Sequence, residues 1–165
     1  MNYMKITKCD IANGPGCRVT LWVSGCEHHC FNCHNPETWP TTAGKPFTKQ
    51  TMDTLIALTA PYYIAGLTFS GGDPLHPANR ETVMKIAARF KQVYPEKNIW
   101  LWTGYMWNEV KDIPGIENID VLVDGEFFYP LRDLSLQWRG SANQEVIDVT
   151  RSLESNRIIS YKEKQ

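Results

Sequence analysis

No stretch of this 165-residue chain approaches the roughly 18 consecutive apolar residues of a membrane-spanning helix. The opening MNYMKITKCD lacks the apolar segment of a secretory signal. Neither charge sign dominates: 17 Lys and Arg stand against 18 Asp and Glu, for a net charge of −1. That balance argues against a polyanion-binding surface and against a charged disordered tail. Internal repeats, low-complexity tracts and long linkers are also missing. These absences point to a cytoplasmic protein with no membrane and no nucleic-acid partner. Apolar residues at 42% and charged residues at 21% are ordinary for a globular protein. The length suits one domain with its own core. We expect a single domain over 1–165, with its regular core at about 15–125 and a segment, 126–165, of unassigned structure.

What is present alternates in period. VTLWV (19–23), AGLTFS (65–70), NIWLWT (98–103) and IDVLVD (119–124) read as short buried strands. Between them, Met52, Leu55 and Ile56 share a helical face behind Thr48 as N-cap. Val83, Ile86, Ala87, Phe90 and Val93 share another, over 79–93, which Pro95 terminates. A short helix fits near 106–112. The order β-α-β-α-β-α-β predicts an α/β fold with a parallel sheet covered by helices, joined by right-handed crossovers. The chain is too short for a full eight-fold barrel of roughly 250 residues, so an open or partial barrel is expected. Unusual residues follow each strand end: the cysteine loop, Gly71-Gly72-Asp73, Thr103-Gly104 and Asp124-Gly125. In parallel α/β folds ligands bind at that edge.

The cysteine loop is SGCEHHCFNCHN (24–35), with Cys26, Cys30 and Cys33 spaced C-x3-C-x2-C among His28, His29 and His34. A reducing compartment disfavours disulfides, and clustered thiols there more often bind metal. Structural zinc takes four Cys or His ligands, and one of the histidines could complete the set, but no second ligand pair follows downstream. Cys30 to His34 satisfies the c-type haem pattern C-x-x-C-H, yet that reading leaves Cys26 idle and lacks an export signal. Incidental buried thiols fit poorly in a loop so rich in His and Asn. Three thiolates on a four-iron cluster leave one iron open for an exchangeable ligand. Cys9 and Cys17 stand outside the motif and are expected not to be ligands. His28 and His29 are expected to face solvent, and His34 to pack near the site rather than ligate.

C-x3-C-x2-C resembles the signature of the radical S-adenosylmethionine (SAM) enzymes. NGPGCR (13–18), CHN (33–35) followed by Thr38-Trp39, SGGDPL (70–75), WTGY (102–105), VDGEF (123–127) and WRGSANQ (138–144) extend the resemblance to the glycyl-radical-enzyme activases. It covers roughly residues 1–144. The resemblance implies a fold of radical-SAM type and one 4Fe-4S cluster on Cys26, Cys30 and Cys33. It also implies SAM, chelated to the open iron and held by Asn32, Cys33, His34, Ser70, Gly71, Gly72, Asp73, Thr103, Asp124 and Arg139. Asn32, Cys33 and His34 would lie by the adenine. Asp73 would serve the ammonium directly or through its neighbours. Asp124 would hold a cation or approach the ribose, and Arg139 would pair with the carboxylate. The implied activity is reductive cleavage of SAM to a 5′-deoxyadenosyl radical. That radical would generate a glycyl radical on the large subunit of the anaerobic ribonucleoside-triphosphate reductase. The implied electron donor is a flavodoxin or ferredoxin. No protein acid or base is needed, because the cofactor carries the chemistry. Two other functions remain open at this point: activation of another glycyl radical enzyme such as pyruvate formate-lyase, and a non-catalytic metal-binding module.

Overall fold

The computed structural model describes residues 1–162. The predicted alternation becomes one seven-stranded sheet in the order β3-β1-β2-β4-β5-β6-β7. Its strands are β1 (Asn2–Asp10), β2 (Cys17–Val23), β3 (Lys45–Pro46), β4 (Ile64–Gly71), β5 (Asn98–Trp102), β6 (Val121–Asp124) and β7 (Glu145–Asp148). The four strands read from sequence are its parallel centre, β2-β4-β5-β6. Three antiparallel strands were not foreseen: β1 on β2, β3 on β1 and β7 on β6. The sheet is therefore mixed rather than wholly parallel. It is also open, because β3 and β7 are unjoined edges. The last three residues of the segment 126–165 lie outside the described part; the rest of it supplies β7 and a helix.

The helices are α1 (Lys49–Leu58), α2 (Arg80–Val93), α3 (Trp107–Val110) and α4 (Val149–Ser155). Thr48 caps α1 as expected, its hydroxyl accepting from Thr51 N at 3.2 Å. Strand side chains alternate between faces. On one face Leu67, Phe69, Ile99, Leu101 and Leu122 pack with Leu55, Val83, Ile86 and Phe90 of the helices. On the other, Trp100, Val121 and Val123 form a second cluster with Trp102 and Trp138. This second face belongs to the site. Among the described residues no helix is long and apolar enough to cross a membrane.

Two devices brace the N-terminal end of β2. The Arg18 side chain is fully buried. It donates to Thr68 Oγ1 (2.8 Å), Asn98 Oδ1 (2.7 Å) and the Leu67 carbonyl (2.9 Å). Burial, partly offset by Asp120, lowers it to about 10, so it stays charged at neutral pH. Beside it, a disulfide joins Cys9 to Cys17. The expectation of reduced thiols fails for this pair, because the β1–β2 pairing brings their Cα atoms to 5.1 Å, within disulfide reach. The free thiols are Cys26, Cys30 and Cys33.

Candidate functional site

A cleft of about 350 Å³ opens at the C-terminal ends of the parallel strands. All three free thiols line it, as do Ser70, Gly71, Gly72, Asp73, Thr103 and His34. Trp22 and Trp102 floor it, and Trp22 is fixed by donating from Nε1 to Thr7 Oγ1 at 2.9 Å.

The thiol loop leaves β2 and returns beside its own start. Gly25 N donates to Thr38 O (2.7 Å) and Cys26 N to Trp39 O (3.0 Å). Inside this closure His29 (φ 49°) and Asn32 (φ 58°) adopt left-handed backbone, a conformation that L-residues hold only when their surroundings enforce it. Gly72 fits because it has no side chain: a Cβ there would stand 2.7 Å from the Gly25 carbonyl. Burial pushes the Cys26 thiol up to about 11, and Cys30 rises for the same reason. In the metal-free protein both are held as thiols, and metal binding would release their protons.

Among the described residues no three Cys, His, Asp or Glu side chains converge closely enough to hold one metal ion. The three thiols line one cleft. Four-ligand zinc requires convergence. A cube of iron and sulfide spreads its thiolates over its corners, so the soft donor set fits that larger group.

Asp73 is the keystone of the opposite wall. Its carboxylate accepts from Leu75 N (2.8 Å), Thr103 Oγ1 (2.8 Å), Gly104 N (2.9 Å) and His28 Nε2 (2.7 Å). His28 therefore does not face solvent as expected. Its side chain is only 9% exposed, and Nδ1 lies 3.0 Å from Glu126 Oε1. Two carboxylates on two ring nitrogens require both nitrogens to donate. The Asp73 hydrogen bond, opposed by burial and reinforced by Glu126, raises His28 to about 9. Neighbouring Tyr105 donates its hydroxyl to Glu27.

Other expected residues are not brought to the cleft. Asp124 is fully buried, and its carboxylate accepts from Trp107 N (2.8 Å) and Glu145 N (3.1 Å). Burial raises its pKa against those two bonds. Its place joins β6, α3 and β7, with Gly125 next to it reaching the cleft. Arg139 donates to the Gln144 carbonyl and lines a separate cavity with Trp138 and Glu145. Asn32 exposes its side chain at the loop's left-handed turn.

Two residues outside the expected set hold the site together. Gln144 lines the cleft, donates to Gly125 O (2.8 Å) and accepts from Gly140 N (2.9 Å), which explains why the WRGSANQ motif ends in glutamine. Asn79, buried ahead of α2, donates to both Ser24 O (2.8 Å) and Asp73 O (2.9 Å). The sequence pattern places Asn79 inside the helix expected over 79–93, whereas α2 begins at Arg80.

Fold and thiol cleft fit the iron–sulfur class to which the family comparison points. Residues 12–147 match the family model of the 4Fe-4S single cluster domain. Three curated relatives carry one name, anaerobic ribonucleoside-triphosphate reductase-activating protein. That of Enterobacteria phage T4 is 45% identical over 146 residues, 88% of this chain and 93% of the relative. Those of Vibrio cholerae and Escherichia coli are each 46% identical over 150 residues, 88% of this chain and 97% of the relative. The chain belongs to the family of anaerobic ribonucleoside-triphosphate reductase-activating proteins.

Proposed function

We propose that this chain is the radical SAM activase of an anaerobic ribonucleoside-triphosphate reductase, its open sheet serving as a partial barrel. The carrying observation is that the three unpaired cysteines share one cleft with Ser70, Gly71 and Gly72 at the strand ends. Cys26, Cys30 and Cys33 would hold a 4Fe-4S cluster with one iron free of protein ligands. The carbonyl-rich turn at Ser70–Gly72 would receive the ammonium of SAM, shaped by Asp73 through its neighbours. The backbone of Asn32–His34 would border the adenine.

When bound on Cys26, Cys30 and Cys33 and at Ser70–Gly72, the cluster and SAM would supply the chemistry, a one-electron reductive C–S cleavage whose product would abstract a hydrogen atom from a reductase glycine. The protein's own contribution is to orient and enclose. Trp22, Trp102 and Phe127 line the cleft with apolar surface, which limits water near a radical. A flavodoxin-type protein would supply the electron. Arg139 and Asp124 act on this site through the loop 125–144 that they brace.

Anaerobic reconstitution with iron and sulfide tests the proposal. The reduced protein is expected to give a four-iron EPR signal that changes on adding SAM, with release of 5′-deoxyadenosine. One tightly bound zinc without sulfide, or a cluster indifferent to SAM, would overturn it.

A further inference from the structure

We propose that His28 is a positioning residue of this site, the clip that holds the thiol loop against the strand ends. The inference builds on the cluster-binding reading given above for the three thiols.

Four donors saturate the Asp73 carboxylate. Three of them, Leu75 N, Thr103 Oγ1 and Gly104 N, belong to the strand-end loops after β4 and β5. The fourth, His28, is the only one carried by the thiol loop, midway between Cys26 and Cys30. Its hydrogen bond therefore ties the loop to the opposite wall. The second nitrogen reaches Glu126 on the loop after β6, so one ring spans three loops.

A second observation is independent of these bonds. Gly104 lies under the imidazole. A Cβ at Gly104 would meet His28 Cδ2 at 2.4 Å, Nε2 at 2.6 Å and Cγ at 2.7 Å, and these are its three nearest atoms. Gly104 is not among the positive-φ glycines, so the imidazole is the obstacle to a side chain there. The Tyr105 ring stands edge-on to the same imidazole at 4.6 Å. The WTGY motif thus provides the seat for His28.

The clip matters because the loop is strained. His29 and Asn32 sit in left-handed backbone, and a loop freed at its middle would relax them. Its two cysteines flanking His28 would then leave the cleft wall. Partners that orient a ligand loop from outside commonly change metal affinity by about tenfold to a hundredfold.

The first test uses metal-free protein: the alkylation rates of Cys26, Cys30 and Cys33 by iodoacetamide, resolved by peptide mass at one pH. His28→Ala is expected to raise them about tenfold or more, the effect of losing a charge-assisted hydrogen bond on local opening. Gly104→Ala, which leaves His28 in the sequence but evicts it, should do the same, and the double variant should add nothing further. His28→Gln, long enough to donate to Asp73, should restore most of the protection. His28→Asn, which reaches only toward exposed Glu126, should not. The second test is loss of the reconstituted cluster to a chelator, expected to be about tenfold faster in His28→Ala.

Wild-type alkylation rates in His28→Ala, or additive effects of the two single variants, would overturn the assignment. A wild-type protein that takes up no cluster would instead sink the cluster reading, and the alkylation comparison would still decide the role of His28.

Discussion

Arg18 and Asn98 stand eighty residues apart in sequence and meet at 2.7 Å at the N-terminal starts of β2 and β5, Nη1 on Oδ1. The same guanidinium crosses β4 to Thr68 and Leu67 on the way, so one side chain staples three parallel strands. Arg18→Ala is expected to destabilise the metal-free protein by about 3–4 kcal/mol, because it strands buried acceptors. Arg18→Lys should cost about 2 kcal/mol, since an ammonium cannot copy the guanidinium fork. Urea unfolding curves measure both, and a lysine variant as stable as wild type would contradict the staple.

Asn79 offers a prediction of sign. Its amide nitrogen faces two carbonyl oxygens, those of Ser24 and Asp73. Asn79→Ala should cost about 2 kcal/mol through two unsatisfied acceptors. Asn79→Asp should cost more than alanine despite its near-identical shape, because a carboxylate would confront both oxygens with no proton to give. Thermal unfolding of the two variants side by side gives the order; aspartate proving the milder change would refute the bonding pattern.

Asp10 makes stability depend on acid. Burial alone would raise its pKa, but hydrogen bonds from Ala12 N, Asn13 Nδ2 and Asn13 N outweigh that and hold it below 3.8. The native state therefore favours the carboxylate. Its contribution is complete above the unfolded value near pH 4 and fades as pH falls through the lower folded value. The stability gap between wild type and Asp10→Asn should be constant above about pH 5 and narrow below pH 4. A gap that widens in acid would reverse the argument.

The proposed cluster site divides the cysteines into two sets. Serine at Cys26, Cys30 or Cys33 should abolish cluster retention, measured as iron and sulfide per chain. Serine at Cys9 or Cys17 should leave retention intact and cost about 2 kcal/mol, the entropy of a loop closed across eight residues. Iron loss in Cys17→Ser equal to that in Cys30→Ser would erase the division.

Locally encoded elements were legible in the sequence. The α1 helix announced itself through Thr48 and the spacing of Met52, Leu55 and Ile56, and the parallel strands through short apolar runs between turns. The edge strands were not. β1 carries Lys5 and Lys8 on a half-exposed ribbon, and β7 forms only because Val146 and Ile147 find Val123 and Leu122 more than twenty residues away. The site divides in the same way. Strand ends predicted where ligands gather, and the thiols, Ser70–Asp73 and Thr103 do share the cleft. Direction was hidden: Asp124 ends its strand as expected, yet turns toward Trp107 N, and His28 finds Asp73 across forty-five positions. No spacing rule encodes a partner chosen by tertiary contact.

The closure of the thiol loop on itself has a mechanical consequence. Because Gly25 and Cys26 bond to Thr38 and Trp39, the segment between them hangs from β2 as a ring with its own clasp. Under the proposed cluster reading, strain raised inside the ring would fall on the clasp and on His28. The register of Trp22 with Ser70 and Val23 with Gly71 then stays fixed. The sheet would then serve as an anvil, a paired surface that keeps its form while the loop adjusts above it.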